Sequence, residues 1–250
     1  MDEALELTNY LPLSFKSRAE EQYIAFLWDA FETNYTHGKY QFAFLAYHML
    51  TMSFVYFKIW QIKHALPSDF EKGLIGFTKE VENKLRDATS PFDFSTVNES
   101  TVLRFLKLVE CDNGKIGTYV KLVQDRNATA HPNGNILYSQ QSSIDLKIRE
   151  ILRVVAEIQC HSQCVIEGCY REFLRENYDP EVREYPVDED QIREILVHRN
   201  YLSVRDIQAC AATDLTPLYG EEHAGEMEGL HNWLRLQYAD ILEEEPPSLR

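Results

Sequence analysis

The chain reads as all-α, and three observations carry that reading. Apolar residues recur at spacings of three and four along most of its length. Helix-start signatures of the Ser/Thr-x-x-Glu/Asp kind precede several of these runs, as at Ser17-Arg-Ala-Glu20. No stretch shows a convincing strand alternation, an internal repeat or a long heptad seam.

Ser17-Arg-Ala-Glu20 starts a first helix whose apolar face is Tyr23, Ile24, Leu27, Ala30 and Phe31, and His37-Gly38 is its stop. A second helix over residues 39–64 ends before Pro67. It holds the most apolar stretch, residues 42–62. His48, Thr51, Ser53, Lys58 and Gln61 interrupt it, which favours a central helix buried all round over a membrane span. Ser68-Asp-Phe-Glu71 is read as a further capping box, followed by Phe70, Leu74, Phe77, Val81 and Leu85 on one helix. Residues 89–95, with Pro91, read as a loop, and residues 99–110 as a helix packing Val102, Leu103, Phe105, Leu106 and Val109.

Asp112-Asn113-Gly114 reads as a turn, and Pro132-Asn133-Gly134-Asn135 as the next. Between them lies a helix with Ile116, Tyr119, Val120 and Val123 on its apolar stripe. Ser142-Ser-Ile-Asp145 then opens a long helix striped by Ile144, Ile148, Ile151, Leu152, Val155 and Ile158. Carried to Asn177 it would span roughly 50 Å at the usual rise. It must therefore either break or pack its far half on something else. Past Asp179-Pro180 the expectation is a short helix to about residue 198, another capped by Ser203-Val-Arg-Asp206, a loose acidic stretch over 220–229, and a last helix over about 230–242. Glu243-Glu244-Glu245-Pro246-Pro247 ends the ordered part. The domain reading is a bundle over 1–178 and an acidic helical appendage over 179–250.

The net charge of −15 is uneven. Residues 1–178 carry 19 Lys and Arg against 23 Asp and Glu, or −4, and residues 179–250 carry 6 against 17, or −11. This excludes a coating protein for nucleic acid, which would be basic, but leaves room for a local cationic site. The five cysteines and the start Met1-Asp2-Glu3 suggest a reduced, cytoplasmic protein without structural disulfides. Cys160-His161-x-x-Cys164-x4-Cys169 puts two thiols on one helix face but lacks a second ligand pair, so small core cysteines are preferred to zinc and no metal or cofactor is expected. Residues 188–211 could form a helix-turn-helix about Asn200-Tyr201-Leu202, yet the region is acidic where phosphate contacts need bases.

The most informative stretch is Asp125-Arg126-Asn127-Ala128-Thr129-Ala130-His131-Pro132. The apolar stripe of its helix, continued, lands on Arg126, Asn127 and Ala130 or His131, and a permanent cation there is unusual. Asn127 and His131 are four apart and would share a face of a continuous helix. Pro132 disfavours helical geometry at His131, so the imidazole belongs at the helix end. The stretch offers a cation, an amide and a side-chain type that titrates near neutral pH.

Arg126-Asn127-x-x-x-His131 at the end of a helix, within an all-helical chain, resembles the Arg-x4-6-His signature of HEPN domains. The resemblance covers about residues 15–178. It implies a HEPN-like antiparallel bundle and a metal-independent endoribonuclease of the toxin–antitoxin or phage-defence kind. RNA is then the substrate, Arg126 and His131 are catalytic, and Asn127 is the polar companion. It also implies a homodimer with a composite active site, and an antitoxin or defence-complex protein as a further partner. Some toxins of the family carry Tyr two residues after the His; here that position is Asn133, and that regulation is not carried over. The alternative reading is a non-catalytic helical module whose acidic end binds a basic protein. In that reading Arg126 pairs with a neighbouring carboxylate and His131 caps a helix end.

Overall fold

The computed structural model describes residues 1–132 and 134–243. The chain is all-α: among the described residues there is no strand, only an isolated antiparallel bridge between Pro12 and Ser203. Two compact units share it, one made of Met1–Leu11 and Ser17–Ser162, the other of Pro12–Lys16 and Gln163–Arg250.

The first unit opens with α1 (Asp2–Leu5) and a 3-10 turn, Glu6–Tyr10. In α2 (Arg18–Thr36) the Ser17 capping box forms as expected. Ser17 Oγ accepts from the Glu20 amide at 3.2 Å, and Glu20 accepts from the Ser17 amide at 3.2 Å. The helix stops at His37, and Gly38 takes the left-handed φ of +68°. That tight turn folds α3 (Tyr40–Ala65) back along α2, and the ring contacts Tyr35–Tyr40, Phe31–Tyr47 and Trp28–Tyr47 follow an antiparallel register. α3 is long and apolar enough to cross a membrane, and 83% of its most apolar window is buried inside the protein.

Sequence periodicity overreached in the next stretch. The Ser68 capping box does not form, because the helix begins one residue earlier, with Pro67 at its first position. The single helix expected through Phe70 and Leu85 is two, α4 (Pro67–Gly73) and α5 (Lys79–Arg86). Gly76, at φ +99°, breaks the run, and Thr78 caps the second piece. The expected loop with Pro91 is a 3-10 turn, Pro91–Thr96, under a Ser90–Asp93 capping box. Ser90 Oγ also donates to Glu20 Oε1 at 2.6 Å and ties this turn to the start of α2. The helix expected over 99–110 is α6 (Glu99–Val102) continued as a 3-10 segment, Leu103–Val109, ended by Glu110 at φ +63°. Phe105 stacks on Phe70 and on Phe77, which holds the broken run together.

Asp112 is not in a turn of its own but caps α7 (Asn113–Ala130), accepting from the Lys115 amide at 2.8 Å. Of the turn expected after it, Asn133 lies outside the described residues. α8 (Gln141–Asn177) is one helix of 37 residues. Its first half lies antiparallel to α7, with Lys147 on Asp125 at 2.7 Å, Tyr119 on Glu157 at 3.2 Å and Lys115 on His161.

The division between the units falls after Ser162, inside α8, and not at residue 178. The reason is packing. Ile166, Tyr170, Phe173 and Leu174, on the far half of α8, form one apolar cluster with Ile192, Leu196, Ile207, Leu230 and Leu234. Beyond α8, the second unit contains α9 (Asp188–Gln191) continued as a π-helical segment, Ile192–His198, then α10 (Val204–Ala211), α11 (Ala224–Gln237) and α12 (Ala239–Glu243). The stretch expected to be loose is already helical from Ala224. The Glu244–Pro247 part of the expected unordered end lies outside the described residues.

The Ser203 capping box with Asp206 forms as expected. Buried Arg183 finishes α8, donating to the carbonyls of Asn177, Tyr185 and Pro186 and pairing with Asp188 at 2.7 Å. The segment Pro12–Lys16 joins this unit through the Leu13 amide on the Leu202 carbonyl at 3.0 Å and Lys16 over the Tyr201 ring.

Candidate functional site

The end of α7 is built by local chemistry. His131 takes an extended backbone, φ −78° and ψ 141°, as a residue before proline must, and its amide still reaches the Asn127 carbonyl at 3.1 Å. Thr129, buried, turns its hydroxyl back onto the Asp125 carbonyl at 2.7 Å. Gln41 of α3 clamps the ending from outside. Its amide nitrogen donates to the Thr129 carbonyl at 3.1 Å, and its oxygen accepts from the Leu137 amide at 3.0 Å. Lys147 braces the same turn by bridging Asp125 and Glu150. Burial lowers the affinity of Lys147 for its proton, but its two carboxylate partners outweigh burial and raise its pKa above the ordinary lysine value.

Arg126, one turn from this ending, emerges from the apolar stripe into a cleft of about 440 Å³. Asn127 lines the cleft beside it, together with Tyr56, Ser95, Asn98, Glu99 and Ser100. The Arg126 Nη2 donates to Glu99 Oε1 at 2.8 Å, with the two side chains 31% and 17% exposed. Glu99 occupies the first turn of α6, behind the Asn98 cap. Its other oxygen, Oε2, lies 2.9 Å from Nε2 of His48, a fully buried residue of α3. Among the described residues His48 Nδ1 has no hydrogen-bond partner, so Glu99 is the ring's hydrogen-bond partner there, while core packing that includes Phe44 surrounds it.

Charge and burial compete at this carboxylate. Burial pushes the Glu99 pKa up, but the hydrogen bond and charge of His48, and then those of Arg126, overcome it and hold the group below the ordinary glutamate value. Glu99 therefore stays ionised. Its charge adds to burial in pushing the Tyr56 hydroxyl up to about 12, so Tyr56 presents a proton to the cleft at neutral pH.

The three residues singled out from sequence are thus divided. Arg126 and Asn127 come together in the cleft. His131 is exposed at the helix end, is not among the cleft-lining residues, and its ring makes no hydrogen bond or ion pair among the described residues. The face that Asn127 and His131 would share on a continuous helix does not exist, because Pro132 takes His131 out of the helix.

Two members of the constellation were not read as such from the sequence. For His48 core packing is the plain expectation, and the resemblance lets some polar residue of the second helix join the site without saying which; His48 is buried and also anchors Glu99. Glu99 was read only as the start of a helix. The available signals were a histidine inside an apolar helix and an acidic residue directly after an Asn cap, each far from Arg126 in the chain.

Elsewhere, Cys160, Cys164 and Cys169 are exposed and Cys111 and Cys210 buried. No group of three or more His, Cys, Asp or Glu side chains among the described residues is placed to hold a metal ion. No family model matches the chain, and neither a curated protein nor a solved structure is found similar to it.

Proposed function

We propose that this protein is a metal-independent endoribonuclease of the HEPN type, its first unit a HEPN-like bundle and its biological role that of a toxin or phage-defence effector. The observation that carries the reading is the pairing of Arg126 and Asn127 in one cleft whose other polar lining, apart from the carboxylate of Glu99, is neutral, with an accessible His131 a turn away. RNA brings its own nucleophile. The 2′-hydroxyl gives up its proton as its oxygen bonds to phosphorus, and the 5′-oxygen leaves and takes a proton. His131 serves one of these transfers. Arg126 neutralises the charge that grows on the phosphoryl oxygens, and Asn127 orients the phosphate. The products are a 2′,3′-cyclic phosphate and a 5′-hydroxyl.

Since His131 is outside the cleft that holds Arg126, one chain makes an incomplete site. We read the active species as a two-fold dimer with a composite active site, the commonest symmetry for an oligomer. RNA cleavage in EDTA, with the product ends identified, tests the activity. Light scattering tests the dimer, since an active sample at the 29.2 kDa of one chain would remove it.

A second reading is supported by the Arg126–Glu99 pair itself, which spends the cation on a structural partner. On that reading the protein is a helical interaction module, and a basic protein binds the acidic residues 179–250. Absence of cleavage on any RNA, together with full stability of the pair, would favour it.

A further inference from the structure

The cleft holds one cation and one anion, and they are bonded to each other. To a guanidinium, a carboxylate and a phosphoryl group look alike, since each offers paired oxygens. Arg126 Nη2, a donor that a phosphoryl oxygen in the cleft would use, now donates to Glu99.

Glu99 does not depend on Arg126 alone. Its second oxygen lies against His48, which is fixed in the buried helix α3, so the carboxylate keeps a partner when it releases the guanidinium. Arg126 is the more exposed of the ion pair and lies on the cleft wall. With Glu99 in place the charge of Arg126 is met by a carboxylate. With Glu99 displaced the cleft gains a positive charge flanked by Tyr56, Ser95, Ser100 and Asn127, all able to donate to oxygen.

We propose that Glu99 is an internal occupant of an oxyanion site at Arg126, and that a phosphoryl group binds there by exchanging with it. This rests on the reading of Arg126 as a phosphate-binding residue and adds its regulation: the site is closed by the protein's own carboxylate until a phosphoryl group replaces it. Glu99 is then a gating residue, not a catalytic one.

The test measures binding and not cleavage. Inorganic phosphate and an uncleavable 2′-deoxy dinucleoside monophosphate are titrated calorimetrically into the full chain, as wild type, Glu99→Gln and Glu99→Gln/Arg126→Ala. Glutamine keeps the shape and an oxygen for His48 but removes the competing charge. Glu99→Gln should bind at least about tenfold more tightly, because the like charge beside the incoming anion is gone. The gain should vanish in the double variant. Equal or weaker binding by Glu99→Gln, or a gain that survives loss of Arg126, overturns the proposal. Should Glu99→Gln not fold, the wild type still decides: saturating phosphate must shift the Arg126 side-chain NMR signal, and no shift overturns it. A gain for both probes with no RNA cleavage supports the exchange and sinks the ribonuclease. A gain for inorganic phosphate alone supports the exchange too, but counts against an RNA backbone as the occupant.

Discussion

Replacing Arg126 and His131 by alanine, one at a time, should separate a load on folding from a load on chemistry. Arg126→Ala removes the guanidinium from Glu99, a carboxylate only 17% exposed, and leaves that charge with His48 as its remaining partner among the described residues. Fully exposed pairs contribute about 0–1 kcal/mol, and removing one partner of a fully buried pair costs about 3–5. A pair 31% and 17% exposed lies between, so about 1–2 kcal/mol is expected. For a chain of this length that lowers Tm by about 2–8 °C. His131→Ala removes an exposed ring with no bond among the described residues and should stay within about 0.5 kcal/mol of wild type. Thermal denaturation followed by circular dichroism reads both. RNA cleavage is then compared well below the lower Tm, where both variants are folded and both should be inactive. The reasoning fails if His131→Ala destabilises as much as Arg126→Ala, or if His131→Ala retains full cleavage.

Three further outcomes are expected. A chain cut after Asp179 strips the partners from Ile166, Tyr170, Phe173 and Leu174, each of which loses about 1.5–3 kcal/mol of burial; it should bind a hydrophobic dye and aggregate, and a well-behaved monomer would refute the shared cluster. Because the native pKa of Glu99 is held below its ordinary value of 4.5, its contribution to stability is whole above that pH and lost as pH falls through the lowered native value. Urea midpoints at about pH 6 and about pH 3 should therefore differ less for Glu99→Gln than for wild type. Burial pushes the Cys111 thiol up to about 11, so iodoacetamide at about pH 8 should modify exposed Cys160 well before Cys111, as read by mass spectrometry.

Local signals in the sequence were readable where one residue decides the outcome. Ser17 and Ser203 cap helices as their spacing to Glu20 and Asp206 implies, and Pro132 sets the backbone of His131. What periodicity could not show is where a stripe is interrupted without losing its partners. Phe70, Leu74, Phe77, Val81 and Leu85 keep helical spacing across a break at Gly76, because stacking on Phe105 serves two short helices as well as one long one. The length expected of α8 left two alternatives, a break or a second packing partner for its far half, and the second is the one found. The division still fell earlier than Asp179, because helical character continues across a change of neighbours. At the site, Arg126 was legible as a cation out of place on an apolar stripe. Its partners were not, since His48 and Glu99 are contributed by α3 and α6 and only tertiary packing gathers them.

The chain visits its second unit twice, at Pro12–Lys16 and again from Gln163 onward, and this has a consequence for synthesis. Leu13 and Lys16 leave the ribosome early, whereas Tyr201 and Leu202, which they bond, follow about 190 residues later. At about 5–20 residues per second the early segment waits roughly 10–40 s for its partners, and the first unit's last residue, Ser162, precedes them by about 2–8 s. An insertion or deletion within Pro12–Lys16 would therefore be felt at Tyr201 and Leu202, about 190 residues further along the sequence.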